Sequence, residues 1–76
     1  MACRVGMTTN PEERRQYWQR RYPYTFRNWV VLARNLTYDV AASTEDAVAR
    51  RDGCAAEPGG PRIPGNVWSV YRFEHS

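Results

Sequence analysis

The predicted fold depends most on the apolar stretch WVVLARNLTYDVAA, residues 29–42. Its first five residues are β-branched or otherwise apolar on both faces, which is typical of a central strand. Arg34-Asn35 suits a two-residue turn because asparagine tolerates a positive φ. Beyond the turn, residues 36–42 alternate as in a half-buried strand. A helix through residues 26–33 also fits the spacing, but the turn signal favours a hairpin.

On the C-terminal side of this stretch, Ser43 is a good helix N-cap, and the acids that follow suit the first turn of a helix. The pattern predicts a helix over residues 44–52 that stops at Gly53. Residues 55–66 hold three prolines and three glycines, which predict a long loop. Residues 67–73 alternate again and predict a final strand.

On the N-terminal side, the sequence predicts a helix from Pro11 to Arg21. Asn10 is the expected N-cap, Pro11 suits the first helical position and Glu13 completes a capping-box spacing. Pro23 should end the helix, because the residue before a proline avoids the α region. Residues 1–9 show no periodicity and are predicted to be a flexible tail.

Together these elements predict one small α+β domain over residues 10–76, with the order α-β-β-α-β. A right-handed crossover places the last strand beside the first, which predicts a three-stranded antiparallel sheet in the order 2-1-3, packed by helices. A chain of 76 residues can bury only a limited core. Length alone therefore makes a full catalytic cleft less expected than a binding surface.

The charges of the chain are unevenly placed. It contains eleven arginines and no lysine, with a formal net charge of +3. Residues 1–34 carry seven arginines against two acids, whereas residues 35–76 carry four arginines against six acids. The basic N-terminal part could dock on nucleic acid or on an acidic protein surface.

Arginines and aromatic rings alternate in the predicted first helix and just beyond it. Guanidinium groups fork onto phosphate or carboxylate and stack on rings, so these residues are a candidate contact surface. Two interpretations stay open: the rings pack on the sheet while the arginines reach water, or the face stays open as a binding patch. The candidate residues are Arg14, Arg15, Tyr17, Trp18, Arg20, Arg21 and Arg27.

No catalytic or metal-binding constellation stands out in the sequence. His75 lies beside the C-terminus, and Cys54 has no base near it in sequence. The acids Glu45, Asp46 and Asp52 are predicted to be solvated charges at helix ends, not metal ligands. No phosphate-binding glycine motif is present. We therefore predict a protein that is not an enzyme and that needs no cofactor or metal.

The two cysteines, Cys3 and Cys54, are too few for a disulfide scaffold, and their spacing matches no zinc pattern. We expect two reduced thiols in a cytoplasmic protein. The chain has no apolar run of transmembrane length, so no membrane association is expected.

The run from Tyr38 to Ala47, interpreted as a strand passing into a capped helix, and the aromatic strand WSVY at 68–71 resemble small phage-encoded proteins, including anti-CRISPR proteins. The resemblance covers residues 29–73. It implies a stoichiometric inhibitor that occupies a nucleic-acid-binding or protein surface of a host defence complex. That family shares no catalytic motif, so the resemblance assigns no site residues. Many members are acidic, and the basic N-terminal half departs from that.

The predicted function is therefore binding, by a small inhibitor that docks on a protein or nucleoprotein complex through an arginine and aromatic surface. The alternative is direct binding of DNA or RNA, with arginines on phosphates and exposed rings on unpaired bases. Tyr, Trp and Arg, the types enriched at interface hot spots, make up 19 of the 76 residues.

Overall fold

The computed structural model describes residues 1–57 and 59–76. Within them, the chain forms two helices and four strands, a small compact α+β arrangement. In chain order the elements are β1 (Ala2–Thr8), α1 (Pro11–Arg21), β2 (Arg27–Leu36), α2 (Tyr38–Asp52), β3 (Ala55–Glu57) and β4 (Trp68–His75).

The strands form one mixed sheet in the order β2-β4-β1-β3. Strand β4 pairs antiparallel with both β1 and β2, and β3 pairs parallel with β1. The predicted three-stranded antiparallel sheet is therefore wrong in strand number, in order and in part of its pairing. The predicted α+β class is confirmed.

Side chains of β4 alternate between two cores on opposite faces of the sheet. Trp68 and Val70 pack with Ala41 of α2, while Tyr71 and Phe73 pack with Trp18 of α1. One helix thus covers each face of the sheet, and both helices pack on β4, which is buried between them.

Helix α1 confirms the prediction made from its capping residues. The Asn10 side chain accepts a hydrogen bond from the backbone N–H of Glu13 at 3.2 Å, and Pro11 is the first helical residue. The helix ends at Arg21, before Pro23. Local chemistry decides both ends, so the sequence was sufficient here.

Helix α2 begins six residues earlier than predicted. Thr37 is its N-cap and accepts a hydrogen bond from the backbone N–H of Val40 at 3.3 Å. The predicted strand 36–42 is therefore wrong. The passage from strand to helix within residues 38–47, on which the resemblance was based, is wrong for the same reason. The predicted end at Gly53 is confirmed by its left-handed backbone. The alternation over residues 36–42 predicted a strand wrongly, because the alanines and the valine of this segment suit a helix equally well.

The predicted hairpin is instead one strand, β2. Asn35 does have a positive φ of 59°, as the turn prediction required, but it lies within β2 at an irregularity in the pairing with β4. Asn28, with a φ of 58°, marks a second irregularity near the start of the strand. Positive φ here bends an edge strand instead of reversing the chain.

The N-terminal residues predicted to be a flexible tail contain β1, which lies inside the sheet between β4 and β3. Val5 and Met7 of this strand are buried in the core on the α2 face. On the other face, the ring of Tyr71 lies against Gly6, where a Cβ atom would be 2.2 Å from the Tyr71 hydroxyl. One glycine within a short strand hid the alternation in the sequence.

The predicted loop over 55–66 begins instead with the short edge strand β3. Pro58 lies outside the described residues, and residues 59–67 form no helix or strand. Within the described part of the chain, neither helix has the length and apolar character needed to cross a membrane.

The prediction of two reduced thiols is wrong, because Cys3 and Cys54 form a disulfide with their Cα atoms 4.8 Å apart. The bond joins β1 to the residue between α2 and β3. The disulfide was not predicted from the sequence, because Cys3 was expected to lie in a flexible tail. A cytoplasmic location stays a prediction.

Candidate binding surface

The eleven arginines divide into two groups by their partners. Among the described residues, five form ion pairs with carboxylates: Arg4, Arg50, Arg51, Arg62 and Arg72. The other six have no carboxylate within ion-pair distance in that part of the chain, and all lie on α1 or β2: Arg14, Arg15, Arg20, Arg21, Arg27 and Arg34. All six are exposed.

Two of the carboxylates that pair with arginines of the first group have lowered pKa values. Hydrogen bonding from Arg51 holds the pKa of Asp52 below its usual range, and Arg72 contributes to the same effect. Asn28 is the main cause of the lowered pKa of Glu74. The charge of Arg27, at the start of β2, also contributes to the lowered pKa of Glu74, whereas no arginine of α1 is among the causes for either carboxyl.

Trp18 belongs to the core and not to the surface. It is only 4% exposed, and its indole Nε1 donates a hydrogen bond to the Tyr71 hydroxyl at 3.0 Å. Its ring centroid lies 5.1 Å from that of Phe73. For Trp18, the interpretation that the ring packs on the sheet is correct, and its ring is not part of the exposed surface.

One flank of α1 carries stacked pairs of arginine and tyrosine. The Arg14 guanidinium lies 5.1 Å from the ring centroid of Tyr17, and that of Arg21 lies 5.9 Å from the ring of Tyr22. Hydrogen bonding from Arg21 lowers the pKa of Tyr22. Tyr17 is 42% exposed. This flank therefore presents cations that are already stacked on rings.

The other flank faces β2 across a cavity of about 510 Å³. Arg15 lines it from α1, and Trp29, Val31 and Arg34 line it from β2. A helix turns about 100° per residue, so Arg14 and Arg15 lie on opposite sides of Trp18, which faces the sheet. Arg14 and Arg15, both candidate site residues, therefore lie on different flanks of α1.

Two further candidates lie apart from both flanks. Arg20 is on the outward side of α1, and Arg27 starts β2. The list of candidate residues omitted three neighbours: Arg34 and Trp29 at the cavity, and Tyr24, which is 94% exposed in the α1–β2 connection. Trp29 and Arg34 line the same cavity because β2 is one continuous strand, and the hairpin prediction would have separated them.

Two of the buried polar side chains have a polar atom without a hydrogen-bond partner among the described residues. His75 is 8% exposed, with Nδ1 lacking a partner among the described residues, and its ring stacks on Tyr22 at 4.1 Å. Glu45 is also 8% exposed, and its Oε2 atom likewise finds no partner there. The prediction of a solvated Glu45 at a helix end is wrong, because the early start of α2 places it mid-helix between the buried Ala41 and Ala49.

Burial raises the pKa of Glu45 from 4.5 to about 7, and the charge of Asp46 adds to the effect. A carboxyl whose pKa is higher in the folded state binds more protons there than in the unfolded chain. We therefore expect the free energy of unfolding to fall by about 2–3 kcal/mol as the pH rises from 4.5 to 8. Urea unfolding at several pH values measures this change.

The matched control is Glu45→Gln, which is close in shape and carries no charge. The variant should lose the decline between pH 5 and 8 and be more stable than the parent protein at pH 8. If both proteins show the same pH profile, Glu45 is not the group responsible.

No group of three or more His, Cys, Asp or Glu side chains is placed to hold a metal ion in residues 1–57 and 59–76. No known family model matches the chain. Searches of curated proteins and of solved structures also found no match.

Proposed function

We propose that this protein acts by binding, and that α1 and β2 dock on an anionic surface of a protein or nucleoprotein complex. The observation that carries the proposal is the division of the arginines. Those elsewhere are paired with acids of the chain, whereas the six on α1 and β2 are exposed and unpaired within the described residues.

An unpaired, exposed guanidinium offers five N–H donors to an external carboxylate or phosphate. Six such groups on two adjacent elements would steer an acidic partner and fix its orientation. A small inhibitor that occupies a surface of a nucleoprotein complex, the role implied by the resemblance to phage-encoded proteins, would act in this way. The contact residues of the proposal are Arg14, Arg15, Tyr17, Arg20, Arg21, Arg27 and Arg34.

Direct binding of single-stranded nucleic acid is the second candidate, and the exposed tyrosines favour it. Tyr24 is 94% exposed and Tyr17 is 42% exposed, and both lie near unpaired arginines in the sequence. An exposed ring can stack on an unpaired base while arginines contact the phosphates.

The test compares two triple variants that remove the same charge. In one, the unpaired Arg15, Arg20 and Arg27 are changed to Gln; in the other, the paired Arg50, Arg51 and Arg62 are changed to Gln. We expect the first variant to lose affinity for its partner by about 10–100-fold, and the second to stay close to the parent protein. The readout is affinity purification from native host extract, followed by titration with the partner found.

An equal loss of affinity in both triple variants would contradict the proposal, because net charge alone would then control binding. Fluorescence anisotropy with labelled mixed-sequence DNA and RNA separates the second candidate. Steeply salt-dependent oligonucleotide binding that is weakened by Tyr24→Ala would favour nucleic acid as the direct partner.

A further inference from the structure

We propose that the free edge of β2 and the adjoining cavity bind a short acidic peptide segment, which adds to the sheet as an extended strand. The inference rests on the proposed binding function and names the class of partner. It is argued from the sheet order, the residues that line the cavity, and the charges around it.

Strand β2 is the last strand of the sheet and pairs only with β4. Its other side therefore carries backbone N–H and C=O groups that no strand of the described chain occupies. Edges of this kind accept extended peptides through main-chain hydrogen bonds.

The cavity lies at this edge and not on one face of the strand alone. Val30 and Val31 both line it, although consecutive side chains of a strand point to opposite faces. A cavity that extends around the strand edge, where the backbone groups are, would touch both residues in this way. Peptide main chain placed there can reach β2 directly.

The side chains at the edge of β2 suit an extended peptide in which apolar and acidic residues alternate. Trp29 and Val31 supply apolar contact within the cavity, and Val30 and Leu32 are 43% and 40% exposed. Exposed apolar residues on an edge strand are normally avoided, since they promote pairing with another chain. Here they would pack against alternate side chains of a bound strand.

The charges favour an acidic segment over a second copy of the chain. Arg15 and Arg34 line the cavity and have no carboxylate within ion-pair distance in residues 1–57 and 59–76, while Glu12 is the only acid among the lining residues described. Two copies paired through β2 would bring their arginines together and repel. A peptide with Glu or Asp at alternate positions would instead pair with them.

The irregularities of β2 limit the length of the bound segment. The pairing with β4 shifts register between Arg27 and Val30, between Val31 and Ala33, and again between Ala33 and Leu36. Bulges bend a strand and interrupt its ladder. The regular part of the edge is therefore short, and we expect a bound strand of about four to six residues.

The probe is an acetylated and amidated octapeptide of alternating Glu and Val, with a Gln–Val peptide of the same length as the charge control. Titration into ¹⁵N-labelled protein should shift the amides of Val30 and Val31 and the indole N–H of Trp29, with saturation below about 1 mM. The Gln–Val peptide should bind at least about tenfold more weakly.

Two double variants locate the site, and each removes two exposed arginines. Arg15→Gln with Arg34→Gln should weaken binding of the Glu–Val peptide by about tenfold, whereas Arg50→Gln with Arg51→Gln, outside the proposed surface, should leave it nearly unchanged. If Arg15→Gln with Arg34→Gln keeps the host partner while the Arg15, Arg20 and Arg27 triple variant loses it, the proposed function stands and this inference fails.

Three other outcomes would also overturn the inference. The first is the absence of saturable binding by the Glu–Val peptide. The second is binding of single-stranded DNA to the same amides in preference to the peptide. The third is a concentration-dependent shift of the β2 amides without peptide, which would make a second copy the occupant.

Discussion

Replacing Trp18 with alanine should lower the free energy of unfolding by about 3–5 kcal/mol. Trp18 is the only residue of α1 that is buried, and it joins this helix to Phe73 and Tyr71 of β4. Its removal would leave a large cavity and an unpaired Tyr71 hydroxyl inside the aromatic cluster. For a small domain with a free energy of unfolding of about 5–10 kcal/mol, this is most of the available stability.

Equilibrium denaturation of the variant measures this effect, and amide hydrogen exchange locates it. We expect protection to be lost first in α1, because Trp18 is its main attachment to the sheet. Gln19→Ala, an exposed substitution on the same helix, is the control and should change stability by less than about 0.5 kcal/mol. A Trp18→Ala protein as stable as this control would show that α1 is not held through Trp18.

Removing the disulfide should have a comparable effect. The bond joins Cys3 to Cys54, which are 51 positions apart, and cross-linking a loop of this length stabilises the folded state by about 4 kcal/mol. Cys3→Ser with Cys54→Ser, or reduction of the parent protein, should lower the denaturant midpoint accordingly. The loss should appear first at β1 and β3, the strands next to the bond.

The reducing agent provides the internal control for this prediction. Dithiothreitol should shift the unfolding midpoint of the parent protein and leave that of the double serine variant unchanged. Thiol labelling of the native protein should find no free thiol before reduction and two afterwards. Two labelled thiols in the unreduced protein would contradict the disulfide.

The two ends of α1 and the end of α2 could be predicted from the sequence because each depends on a few neighbouring residues. Asn10 caps a backbone N–H three residues on, and Gly53 adopts the left-handed conformation that ends α2. The final strand was also predicted, because the side chains of β4 alternate between two cores and this alternation is visible in the sequence.

The other strands and the binding surface were harder to predict, because they depend on contacts between residues that are distant in sequence. β1 has no local signal; it exists because β4 and β3 pair with it on both sides. The start of α2 was missed since Thr37 and Ser43 are equally acceptable caps when considered alone. Trp18 was among the candidate site residues because the sequence of a helix does not show which of its rings packs on the sheet.

The sequence by itself determined the capped first helix, the basic N-terminal half and the concentration of arginine beside aromatic residues. Only the tertiary structure decided which arginines are paired with acids, which ring is buried, and that Arg15 and Arg34 meet across one cavity. The physical reason is the range of the interactions. Caps and charges act within a few residues, whereas ion pairs, aromatic packing and strand edges depend on residues that the fold brings together.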